Sequence, residues 1–211
     1  VKVQFMAYRR SALMEERLAD NRDRILRAAR SLIARGGFRE ASINAVSAKA
    51  GLSTGAIYRY FPSKTELFVK VLQAAVDHEC AILTGIIEEQ HPSHAQALQA
   101  AVESFSNRAL EGPHLAYAFI AEPVDPAVEG HRIECRQQFS NVFKKVVQRG
   151  VAAGEFPPQS VDVAAACIVG AFTEALIRPV ASSQKSSVSN KRLVKEIVQF
   201  CARAVSGSVP T

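Results

Sequence analysis

Three observations predict an all-α fold in two parts. Apolar residues recur at i, i+3, i+4 spacing through every long segment, and no alternating run of strand length is present. Pro and Gly punctuate the chain at intervals that suit helices. The positive charge is also uneven. Residues 1–66 hold 13 Lys/Arg against 6 Asp/Glu, whereas residues 67–211 hold 13 against 14. A basic part beside a nearly neutral one is the footprint of a nucleic-acid binder, with a plain solvated surface as the alternative.

Taken in order, Val1 to Met14 shows no helical period and carries Lys2, Arg9 and Arg10. Residues 1–14 are therefore expected as a flexible basic arm, either free or touching phosphates or a minor groove. The first residue is not Met, and Met6 is the expected natural start. From Glu15 to Arg35 the chain is expected to be helical. Ile25, Ala28, Ala29, Leu32 and Ile33 share one buried face, and Gly36-Gly37 ends the run. Arg22, Arg24, Arg27 and Arg30 lie mainly off that face, to hold a DNA backbone or simply to be solvated.

Ser42 to Glu66 organises the rest. Val46, Ala50, Leu52 and Ile57 are spaced to face one small core, with two short helical runs meeting at Gly51-Leu52-Ser53. Gly51 supplies the positive φ of a tight turn, and Ser53 caps the second run. Phe61 precedes Pro62, which pushes it out of the α region and stops the second helix. Ser63-Lys64-Thr65-Glu66 is a capping box that opens the next helix. Two short helices joined this way form a helix-turn-helix, whose second helix normally enters the major groove. Thr54, Gly55 and Ala56 open that helix, where base contacts concentrate: a hydroxyl, a close backbone approach and a methyl for thymine. Ser42 and Ser53 are caps first and phosphate contacts second.

Gly51, Ile57 and the run Tyr58-Arg59-Tyr60-Phe61-Pro62-Ser63-Lys64 resemble the DNA-binding signature of tetracycline-repressor-type (TetR-family) regulators. The resemblance spans roughly Asp20 to Ala75. It implies Asn44 as a base reader and places Tyr58, Tyr60 and Lys64 near DNA. Tyr58 and Lys64 suit phosphate contacts, which fix register without reading sequence; core packing is the other reading of Tyr58. Ser47, Asn44 and Tyr60 depart from the commonest residues at their positions, so no operator sequence is carried over.

After Ser63 a long helix is expected to about Glu88, with Leu67, Val71, Ala75, Ile82 and Ile86 on one side. Domain boundaries are drawn at 15–66 for the helix-turn-helix domain and 67–206 for a helical effector-binding and dimerisation domain. Ser93 caps a helix containing Leu98, Ala101, Val102 and Phe105, which ends by Gly112-Pro113. A short helix over Leu115 to Ala121 and a long one over Ala127 to Ala153 follow. Ser160 to Val180 is apolar nearly all round, so it must be covered on more than one side. A polar linker, Ser182 to Ser189, leads to a last helix over Asn190 to Ala204. These two late helices carry more apolar surface than one core needs, which suggests a subunit interface at Ala166, Gly170, Leu193, Ile197 and Cys201. The family resemblance implies a four-helix dimer bundle from their pairing.

Phe105, Tyr117, Phe119, Phe139, Phe143 and Phe172, with His114, Asn141 and Thr173, either line an apolar effector pocket between helices or are plain core. His91 and His94 lie near Glu88 and Glu89, but Pro92 breaks the register that would align them as metal ligands. No glycine-rich phosphate loop, nucleophile elbow or H-E-x-x-H is present, so no cofactor, metal or catalysis is expected. Cys80, Cys135, Cys167 and Cys201 are scattered as reduced thiols. The longest uninterrupted apolar run, Val163 to Phe172, is half a span, so no membrane helix is expected. No leader is evident and the expected location is cytoplasmic.

The expectation is a homodimeric DNA-binding repressor on a palindromic duplex operator, released by a small-molecule effector that the sequence does not identify. One alternative keeps DNA binding but gives control to a protein partner. Another is a helical enzyme or metal protein.

Overall fold

The computed structural model describes residues 2–181 and 187–207, with side chains from Met14 onward except at 187 and 188. Helices account for almost all of it: α1 Lys2–Gly36, α2 Ile43–Ala50, α3 Thr54–Tyr60, α4 Lys64–Glu88, α5 His94–Glu111, α6 Pro113–Ile120, α7 Pro126–Ala152, α8 Val161–Ala181 and α9 Ser187–Ser206. No strand occurs among the described residues. The chain divides into two compact units, Val1–Val71 and Leu72–Thr211.

The first unit closes around Ile25, Ala29, Ile33, Val46, Ile57, Phe61 and Leu67, each essentially inaccessible. The division falls inside α4, later than the boundary drawn after Glu66. Its first turns belong to this core: Leu67, Phe68 and Val71 are buried, and the Phe68 ring lies 4.7 Å from that of Phe38. The segment expected as a flexible arm is helical from Lys2, which corrects that expectation. No Pro or Gly interrupts the chain before Gly36, so nothing stops the helix propagating toward the N-terminus.

The second unit packs α7 on α8, α5 on α9, and α6 on α8 around one core. Leu83, Leu98, Ala101, Val102, Phe143, Phe172 and Leu176 are fully enclosed there. Ser93 caps α5 by accepting from the Gln96 N–H at 3.2 Å, and Asp125 caps α7. Ser187 to Ser189, assigned from sequence to a linker, lie in α9; Ser182 to Ser186 fall outside the described residues. Helix α8 is long and apolar enough to cross a membrane by length and composition alone, a test that the core helix of a bundle also passes. One of its faces, Ala165, Ile168, Val169, Phe172, Leu176 and Val180, is instead part of the enclosed core.

Candidate nucleic-acid interface

The α2–α3 element is held at both ends by local chemistry. Ser42 accepts the Ala45 N–H at 3.2 Å and starts α2. Gly51 ends it at φ 64°, ψ 38°, the left-handed region that a side chain would make costly. Ser53 then accepts the Ala56 N–H at 3.1 Å and opens α3. Phe61 leaves the helix at φ −136°, ψ 99°, as the following proline requires. Ser63 accepts the Glu66 N–H at 3.0 Å and opens α4. Each cap is worth about 1 kcal/mol. Truncating Ile57, buried at 0 %, to Ala would cost about 2–5 kcal/mol. The core therefore decides that α3 docks, and the caps decide where it starts and stops.

On the outside of this unit Asn44, Ser53, Thr54, Gly55, Tyr58, Arg59 and Lys64 are exposed. Tyr58 is 49 % accessible, which selects a surface role over core packing. A Cβ on Gly55 would meet nothing within 4 Å, so its backbone is open to close approach. The Lys64 ammonium sits over the Phe68 ring, 5.0 Å from its centroid. Ala56 corrects the expectation. It is 8 % accessible and faces the core, so its methyl is unavailable to thymine. On α3 it lies next to Ile57, and both positions are used for docking rather than reading. Ser47 is buried as well, and its hydroxyl donates to the Asn44 carbonyl at 3.2 Å.

Tyr60 is half-buried and tied down. Its hydroxyl accepts from the Asn21 side-chain amide at 3.2 Å. Arg24 in turn donates to Asn21 Oδ1 at 3.2 Å and to the Ala50 carbonyl at 2.7 Å. Arg22 lies 5.5 Å from the Phe61 ring centroid. Sequence reasoning missed this chain from α3 through α1 to the end of α2. The only local signal was the i, i+3 spacing of Asn21 and Arg24.

Residues 25–71 match the family described as bacterial regulatory proteins, tetR family. That match lies wholly within the first unit. The chain is 39% identical over 62 residues to the transcriptional repressor KstR of Mycolicibacterium smegmatis, a match spanning 29% of this chain and 30% of KstR. It is 27% identical over 143 residues to the HTH-type regulator YfiR of Bacillus subtilis, spanning 64% of this chain and 67% of that protein. Its fold is similar to that of FadR from Bacillus subtilis, solved with stearoyl-CoA. The TM-score is 0.74 at 18% identity, over 86% of this chain and 98% of FadR. KstR is a transcriptional repressor, and YfiR and FadR are transcriptional regulators.

In the second unit, the residues singled out for a pocket divide into two sets. Phe105, Phe139, Phe143 and Phe172 form one aromatic cluster: Phe105 lies 5.6 Å from Phe139 and 4.8 Å from Phe172, and Phe143 lies 5.4 Å from Phe172. Tyr117 and Phe119 are half-buried on α6, whereas His114 and Asn141 are exposed. Thr173 donates to the Val169 carbonyl at 2.7 Å, the ordinary self-satisfaction of a helical hydroxyl. The interface candidates divide too. Ala166 and Gly170 are exposed, with Val163 and Cys167 completing an i, i+3, i+4, i+7 strip, and Phe200 on α9 is 56 % accessible. Ile197 and Cys201 are 5 % and 0 % accessible and belong to their own subunit's core, which corrects their assignment; Leu193 is partly buried against the same core.

Cys80, Cys135 and Cys201 offer no chemistry. Burial, then Asp77, Cys135 and Glu79, pushes Cys80 up to about 12; burial, then Asp77 and Glu134, pushes Cys135 up to about 11. Cys201 is likewise raised to about 11 by burial. Such thiols stay protonated and unreactive. His91 Nε2 bonds the Ile86 carbonyl oxygen at 2.6 Å, and His94 pairs with Glu155 at 2.7 Å. No group of three candidate ligands for a metal ion occurs among the described residues.

Proposed function

We propose that this chain is a homodimeric repressor whose α3 reads a palindromic operator and which an apolar small molecule releases. One observation carries the reading of DNA: the exposed Thr54, Gly55 and Tyr58 lie on a helix fixed at both ends, within a unit rich in positive charge. Asn44 adds a second reading group, and Lys64 a phosphate contact. Ser42 and Ser53 serve as caps whose backbones lie at the DNA face.

Dimerisation uses the α8 strip Val163, Ala166, Cys167 and Gly170 with Phe200 of α9. Its small residues allow a second helix to approach closely, and a two-fold pairing buries the same patch on both subunits. The effector lodges beside the Phe105, Phe139, Phe143 and Phe172 cluster, where an acyl chain finds apolar walls. Stearoyl-CoA, the ligand in the FadR structure, supports this ligand class and is the first compound to try. Binding selects a dimer whose two reading helices no longer match adjacent major grooves, a coupling of about 1–3 kcal/mol. The regulator works in the cytoplasm, where its DNA lies.

Titrating long-chain acyl-CoA into the protein–operator complex tests the effector. Release, by a factor of about 5–150 in affinity, is the expected result. Unchanged operator affinity across acyl-CoA and other apolar ligands would instead favour control by a protein partner.

A further inference from the structure

A second feature of the first unit lies between α1 and the end of α2. Arg24, Arg27 and Ala28 of α1, with Ala48, Lys49, Ala50 and Gly51 at the end of α2, line an open cavity of about 440 Å³. Three of these seven residues are cations and none is an acid. Arg27 and Lys49 are exposed and have no carboxylate partner among the described residues.

Arg24 is already aimed. Its donation to the Ala50 carbonyl at 2.7 Å and to Asn21 Oδ1 at 3.2 Å fixes the guanidinium plane. These bonds use two of its five N–H groups, leaving the others for a further acceptor. The approach depends on Gly51. A Cβ there would lie 3.2 Å from Arg24 Nη2, so glycine serves both the left-handed turn and the space the guanidinium occupies. The C-terminal carbonyls of α2 account for one cation through the helix dipole. They do not account for the other two. Like charges gathered around one concavity repel unless an anion joins them.

We propose that this cavity is a phosphate site, and that its occupant is a backbone phosphate of bound DNA beyond those met by α3 and Lys64. Arg24 and Arg27 supply planar forks and Lys49 a point charge, the donor set that suits a phosphodiester. The site adds affinity and register but no sequence preference, because phosphates are the same at every base. It rests on the reading of the chain as an operator-binding protein.

The test compares the salt dependence of operator binding for the intact chain, for Arg27→Ala with Lys49→Ala, and for the charge-matched control Arg35→Ala with Arg39→Ala. Arg35 and Arg39 are exposed and lie outside the cavity. The slope of log K against log salt should fall by about two in the first double variant, with base preference unchanged, and by much less in the control. Equal slopes in the intact chain and the first variant would overturn the proposal, as would an equal loss in the control. Inorganic pyrophosphate titrated into DNA-free protein separates the other source of phosphate. Saturable binding that the Arg27/Lys49 variant loses, with its salt slope unaltered, would assign the cavity to a free anion and overturn the DNA assignment. If the intact chain selects no operator at all, the reading of the chain as an operator-binding protein fails first, and the cavity proposal falls with it.

Discussion

The hydroxyl of Tyr60, at the end of α3, is held 3.2 Å from the side-chain amide of Asn21 on α1. This bond reaches across 39 positions in sequence and ties the last residue of α3 to α1. Tyr60→Phe and Asn21→Ala should each destabilise the first unit by about 0.5–1.5 kcal/mol. In a double-mutant cycle the two effects should be non-additive by most of that amount. Additive losses would mean that the bond contributes nothing in solution.

Gly51→Ala should cost more than its single methyl suggests. At φ 64° an L side chain is disfavoured by about 1–2 kcal/mol, and its Cβ would crowd Arg24 Nη2 at 3.2 Å. Denaturant unfolding should show that loss or a larger one. A neutral result would mean that the turn relaxes to another shape.

The chain's helices and turns were legible because caps and stop signals are local. Gly51, Ser53, Phe61-Pro62, Ser63 and Ser93 each act within four residues of themselves, and each does what its neighbours in sequence imply. The misreadings lie where a choice depends on what packs against a helix. Leu193, Val194, Ile197, Val198, Phe200 and Cys201 give α9 an apolar band wider than one contact. Periodicity alone does not say which of them meets the subunit's own core; that core takes Ile197 and Cys201 and leaves Phe200 outside. Ala56 shows the same limit on a smaller scale. It opens the reading helix, yet the turn at Gly51 rotates it inward. The Asn21–Tyr60 tether joins distant segments and leaves no pattern in either.

Stability in acid should report on His94 and Glu155. The His94 ring donates to the Glu155 carboxylate at 2.7 Å, and the His94 backbone N–H donates to it also. These bonds hold the Glu155 carboxyl below its ordinary value. A depressed folded value means that the stabilisation is fully present above the ordinary glutamate range, about 4.3, and is lost as pH falls through the lower folded value. Glu155→Gln should therefore lower Tm at neutral pH, and the difference from the parent should shrink below about pH 4. A difference that persists unchanged to pH 3 would assign the effect to packing.

Gly170→Leu separates the subunit from the dimer. A Cβ at Gly170 meets nothing within 4 Å inside the chain, so the monomer should fold as before by circular dichroism. Across a two-fold α8 contact the added side chain overpacks, at about 1–3 kcal/mol. Sedimentation should show monomer, and tight operator binding should be lost with it. A variant that remains dimeric and binds normally would move the interface to α9.

The central claim, that α3 reads base sequence, is tested most directly by selecting binding sites from random DNA with the intact chain and with Thr54→Ala and Lys64→Ala. The intact chain should enrich a two-fold symmetric site with half-sites about 34–36 Å apart, or a multiple of that spacing. Thr54→Ala should relax preference at particular bases, by about 1–3 kcal/mol, and Lys64→Ala should weaken all sites alike. No enriched sequence, or a single asymmetric half-site bound by monomer, would contradict the account.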